Sequence, residues 1–170
     1  ALAYWRPGFL AARAKSAAER RPLRVDVFLG DDVFGGHSAD LWLEFARLAL
    51  SGRADEDEGL DVAVVGGGVR EPTEDAACVD VGTRKRASVR FRVGAYPSPR
   101  TYARPPDLVL ALDAGLYQRA ASLGLVKLAL AKDVPLLCCE RSVLAAAGAR
   151  RNFAKLPGCA ALPPRRNPLG

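Results

Sequence analysis

Six residues at the ends of apolar stretches could do chemistry: Gly30, Asp31, Gly66, Gly67, Asp113 and Glu140. At the carboxyl ends of strands, glycines let a ligand approach the backbone, and carboxylates can hold a hard cation or act as acid and base. Their spacing argues against each common use. The dinucleotide fingerprint G-x-G-x-x-G is absent. After the first apolar stretch the chain reads GDDVFGG at 30–36, too long for the tight turn that aims backbone amides at a pyrophosphate. Glycines 66–68 follow LDVAVV, where a ribose-binding carboxylate would stand, and they precede no helical pattern whose dipole they could share. Asp31, Asp32, Asp113 and Glu140 would repel phosphate, and they lack the D-x-D density of a metal loop. No cofactor is expected.

Nucleophilic catalysis has little to work with. Ser142, Cys138 and Cys139 have no second motif marking a base, and the one histidine, His37, adjoins the helix-capping Ser38. The four cysteines, Cys78, Cys138, Cys139 and Cys159, form no C-x-x-C pair, so no zinc site follows from their spacing. They read as buried apolar thiols in a reducing compartment. A degenerate site rather than an enzyme is the expectation, and Asp113, at the end of the most apolar stretch, is the first residue to test.

The elements that must position these residues alternate. A helix is predicted over 9–20, ended by Pro22, and strands over 24–30, 60–68, 87–93, 107–112 and 134–140. Helices are predicted from Ser38 to about 50, from 118 to 131, and from Ser142 to Gly148. Leu41, Phe45 and Leu48, with Trp42 and Ala49 beside them, form a core stripe. Residues 69–86 read as an exposed excursion and 95–106 as a proline-rich rigid connector without regular structure. The alternation argues for an α/β, Rossmann-like three-layer sandwich of about five mostly parallel strands in order 3-2-1-4-5. Strands 24–30 and 107–112 are expected as central neighbours. ASVRFRV at 87–93 alternates apolar residues with Arg90 and Arg92 and is placed at an edge, where an antiparallel direction is allowed because its connector carries no helix. The expected units are a basic N-terminal arm and helix (1–22), the Rossmann-like domain (23–149) and a basic Pro-rich tail (150–170).

Charge separates along the chain. Residues 31–80 hold thirteen acids and three bases, and residues 81–170 hold sixteen bases and four acids, within a net charge of +6. A basic half suits nucleic acid, an anionic surface or an acidic protein. No aromatic residues interleave the bases as in a single-strand stacking platform. No apolar run approaches the roughly 20 residues that span a bilayer. The chain opens on Ala1 and contains no methionine. Residues 1–24 are rich in Arg and Ala with Glu19 as their one acid, which is organellar presequence chemistry or the mature end behind it.

The succession LRVDVFLG, LDVAVVGGGV, VRFRVGAY, PPDLVLALDAGLY, VPLLCCERSVLAAAG and NPLG resembles the C-terminal domain of the mitochondrial splicing suppressor family, MYND-finger proteins linked to mitochondrial translation. The matching stretches are Pro106–Gly115, Val134–Glu140 and Asn167–Leu169, within a likeness over about 23–170. Asp113 stands where the family has Asn, and Cys138, Cys139 and Glu140 replace its Thr-Ser-Tyr. The characteristic Glu after the first strand's glycine has no counterpart in GDDVFGG, and the zinc finger is missing. The resemblance implies a Rossmann-like fold and an organellar setting, and it carries over no activity.

The expected function is therefore that of a non-catalytic organellar protein, an accessory or structural subunit or assembly factor docked in a large membrane or ribosomal complex. The setting is mitochondrial, with the plastid as the alternative. Its partners are protein subunits, and its docking residues are Arg6, Arg84, Lys85, Arg86, Arg150, Arg151, Arg165 and Arg166 on the arm, excursion and tail. Two other functions stay open: a translation-linked RNA-binding factor that adds Arg90 and Arg92, and a methyltransferase-like or nucleotide-using enzyme.

Overall fold

The computed structural model describes residues 11–12, 14–19, 21–30, 42, 44, 59–65, 77–80, 86–92, 96–116, 119–140 and 142–157. Among the described residues six strands form one sheet: β1 (Leu23–Leu29), β2 (Leu60–Val65), β3 (Ala77–Asp80), β4 (Arg86–Arg92), β5 (Leu108–Leu112) and β6 (Leu136–Cys139), in the order β3-β4-β2-β1-β5-β6. Five are parallel, and β3 alone runs antiparallel, against β4. Leaving β3 aside, the order is the expected 3-2-1-4-5, and β1 and β5 are neighbours as predicted.

Alternate side chains of these strands feed two cores. On one face lie Val25, Val27, Leu29, Val62, Val64, Val89, Phe91, Leu108 and Leu110, joined by Ala12 from the N-terminal helical residues and by helical Trp42. On the other lie Val109 and Ala111, covered by Leu125 and Leu128 of α2 (Arg119–Lys132) and Ala149 of α3 (Val143–Phe153). Both faces of β5 are thus apolar and buried, the reason its sequence is continuous rather than alternating.

Four expectations are corrected. Strand β4 is parallel to β2 and is not an edge: β3, inside the stretch read as an exposed excursion, pairs outside it, with Val79 opposite Ala87 and Ala77 opposite Val89 in register. A four-residue strand leaves too little period to read. The connector 95–106 contains a one-turn helix, α1 (Pro99–Ala103). Ser98 caps it and accepts from Thr101 N–H, Thr101 Oγ1 accepts from Ser98 N–H, and proline takes the first turn, where its missing N–H costs nothing. Strand β6 is half-exposed rather than buried because it is the sheet's last strand, and Cys138 and Cys139 are exposed thiols outside any disulfide, not core residues. Helix α3 continues past Gly148 to Phe153, so Arg150 and Arg151 belong to its last turn rather than to a tail.

The N-terminal arm is also more integrated than expected. Ala12 and Ser16 are buried, and Arg21 reaches the residue just before β5: its Nη1 and Nη2 each donate to a different oxygen of Asp107 at 2.6 Å. Asp107 Oδ2 also accepts from Arg24 N–H at 2.9 Å, and Asp107 N–H donates to the Arg24 carbonyl at 2.8 Å. One buried carboxylate thereby joins the arm, β1 and β5 at the amino edge of the sheet. Hydrogen bonding to Asp107 holds the Arg21 guanidinium above even its usual pKa. Among the described residues no helix is long and apolar enough to cross a membrane.

A second carboxylate is buried within the sheet. Asp26 lies mid-strand in β1 at 4 % exposure, and Tyr96 Oη donates to its Oδ2 at 2.9 Å. Desolvation raises the Asp26 pKa, opposed by the Tyr96 hydrogen bond and by Arg92 and Arg24. Burial also raises the tyrosine's pKa. A carboxyl group whose folded pKa is raised contributes stability below its unfolded pKa and loses it as pH rises through the folded value. Asn at this position still accepts from Tyr96 and needs no charge buried. Asp26→Asn is therefore expected to be more stable than the native chain at pH 8 by about 1 kcal/mol, with the difference closing below about pH 4. Urea melts across that range check it.

Candidate functional site

In a doubly wound sheet the ligand crevice opens at the carboxyl ends of the two strands where the order reverses. Here those strands are β1 and β5. Of the candidate residues, Gly30, Asp113 and Glu140 meet at this place. Asp31, Gly66 and Gly67 lie outside the described residues, as do His37, Ser38, Arg6, Arg84, Lys85, Arg165 and Arg166. Arg86 opens β4, paired in register with Asp80.

The crevice floor is backbone. Gly30 N–H donates to the Leu112 carbonyl at 3.1 Å, and a Cβ on Gly30 would lie 1.9 Å from the carbonyl oxygen of Asp113. Only glycine permits that approach. Asp113 leaves β5 in the left-handed region at φ 46°, a conformation aspartate tolerates better than most residues, and Gly115 follows at φ 60°. Asp113 N–H donates to the Cys139 carbonyl at 2.6 Å, which fixes this turn to β6.

Glu140 completes the cluster from the end of β6. Its Oε1 accepts from Leu116 N–H at 2.9 Å, while its Oε2 is buried with no hydrogen-bond partner among the described residues. Desolvation raises the Glu140 pKa, the Leu116 hydrogen bond lowers it, and the negative charge of Asp113 raises it again. Titration of the side-chain carboxyl carbon by NMR is expected to put the Glu140 midpoint above that of an ordinary glutamate, and Asp113→Asn to move it down by removing that charge.

The groups gathered here are acceptors: the Asp113 carbonyl, packed against Gly30, and the carboxylates of Asp113 and Glu140, the latter with a buried Oε2 that has no donor among the described residues. Their carboxylates disfavour phosphate. Among the described residues no group of three or more His, Cys, Asp or Glu side chains could hold a metal ion.

Two features escape a reading of the sequence. The Asp26–Tyr96 pair announces itself only as one acid inside the apolar run RVDVF, and Asp107 only as the acid before LVLAL. Each is a polar residue in an apolar setting, which signals a specific partner but does not say which. The exposed cations lie elsewhere, among them Arg90 on β4, and Arg150 and Arg151 on α3. No family model matches the chain, and no characterised protein or solved structure shows significant similarity to it.

Proposed function

We propose that this chain is a non-catalytic organellar protein, an accessory subunit or assembly factor that works by docking to other protein subunits, in the mitochondrion or, as the alternative, in the plastid. The observation that carries this reading is the chemistry of the crevice between β1 and β5. Where related architectures aim N–H donors at a cofactor's phosphates, this chain sets the Asp113 carbonyl against Gly30 and adds the carboxylates of Asp113 and Glu140. A nucleotide would meet like charge over a floor of packed backbone. The resemblance of PDLVLALDAGL to the mitochondrial splicing suppressor domain and the Arg- and Ala-rich first 24 residues support the organellar setting.

Two measurements test it. Native gel electrophoresis of organelle extracts is expected to find the chain in an assembly far larger than its own 18.1 kDa; a free monomer there refutes the docking reading. Calorimetry against S-adenosylmethionine and nucleotides is expected to show no binding. Micromolar binding abolished by Asp113→Ala would establish the enzyme reading instead. RNA affinity that falls steeply with salt would favour the RNA-binding alternative.

A further inference from the structure

Helix α3 presents two different surfaces. Ala149 is buried, and Phe153 packs against the core of α2 and β5. On the outside, Leu144 is 83 % exposed and Val143 60 % exposed. Arg150, Arg151 and Lys155 are exposed beyond them. Leu144, Gly148 and Arg151 recur at helical spacing, and Lys155 follows in the turn just past Ala154, so the outer stripe runs from an apolar end, past the small residues Ala147 and Gly148, to a basic end. Isolated exposed leucines are ordinary. Here, two adjacent apolar side chains share a helix with Arg150 and Arg151, Lys155 stands just past its end, and small residues between them leave room for another backbone.

Resting on the docking reading above, we propose that this stripe is the interface, and that its occupant is an acidic helix of a different protein subunit. The charge selects the occupant. Residues 142–157 contain no acid, so a second copy of α3, laid in either direction, offers no carboxylate to Arg150 or Arg151. An antiparallel partner helix places its amino end beside Arg151 and Lys155, where acids in its first turn also complement its own dipole. Leu144 and Arg151 are seven residues apart, about 10 Å along the axis at the helical rise. The partner therefore carries an apolar side chain about two turns after its acids. Apolar Leu144 and Val143 have no counterpart in a phosphate backbone, which disfavours RNA on this face.

The test uses the full chain in its native assembly. A carbodiimide, which joins an amine to a carboxylate in contact with it, is expected to link Lys155 to an aspartate or glutamate of another subunit, read by mass spectrometry. Leu144→Ser, and separately Arg151→Glu with Lys155→Glu, are each expected to weaken association at least tenfold, whereas Lys127→Glu on exposed α2 surface changes nothing. These positions are exposed, so the fold is retained, and circular dichroism checks that it is. Full-strength association of both α3 variants overturns the proposal while leaving docking by another surface intact. Lys155 linked only to acids of this same chain overturns it too, as does a loss confined to binding of phosphatidylserine vesicles or RNA. A free monomer in the extract instead removes the docking reading itself.

Discussion

Asp107→Ala is expected to destabilise the chain by about 2–3 kcal/mol, the cost of losing a buried carboxylate's charge-assisted hydrogen bonds to an arginine and a backbone N–H. The Asp107 side chain is 2 % exposed, while that of Arg21 is 31 % exposed. Alanine leaves the Arg21 guanidinium to Glu19 and water, and leaves Arg24 N–H without its carboxylate acceptor. Domains are held by only about 5–15 kcal/mol in total, so this loss takes a large share. The measurement is the urea midpoint at constant slope. Arg21→Ala made alone and in combination gives the coupling between the two. Because Arg24 still needs its acceptor, Asp107→Ala is expected to remain costly in the Arg21→Ala background.

Gly30→Ala is expected to cost about 3 kcal/mol or more, an overpacking penalty at the upper end of the usual range. The new methyl meets the Asp113 carbonyl oxygen at 1.9 Å and its carbon at 2.9 Å. Both obstacles are backbone, so no side-chain rotation relieves the clash. The turn at Asp113 must move, and it is tied to Cys139 through its own N–H and to Glu140 through Leu116 N–H. Hydrogen exchange should therefore speed up at Asp113 and Leu116 before the rest of β5. Unchanged exchange at these amides, with unchanged stability, would show that the β1–β5 crevice is more open than its backbone contact implies.

The parallel sheet was legible because its signal is dense. Val25, Val27 and Leu29 of β1, and Leu108 and Leu110 of β5, lie in strongly apolar runs that double-sided burial explains. The strand β3 was not legible, since four residues carry two periods at most, and without it β4 takes on the look of an edge. Helix α1 could have been found: Ser98, Pro99 and Thr101 are a capping signature, obscured by the surrounding prolines. The exposure of Cys138 and Cys139 could not, because apolar composition says nothing about which strand comes last in a sheet. At the crevice, Gly30, Asp113 and Glu140 were each recognisable alone. That Gly30 meets the Asp113 carbonyl and that Glu140 reaches Leu116 depend on strand order, which brings together residues far apart in the chain.

The same order has a consequence for how the chain is made. Strand β1 is flanked by β2 on one side and β5 on the other, and Arg24 waits for a residue 83 positions later. During synthesis at about 5–20 residues per second, roughly 4–17 s pass before that flank can be closed. Until then β1 has an open hydrogen-bonding edge and apolar side chains on an uncovered sheet. A ribosome stalled, or a message cut, before residue 108 thus releases a fragment with a ready template for intermolecular pairing. Holdase binding is expected to concentrate on such fragments, and to end once β5 has been added.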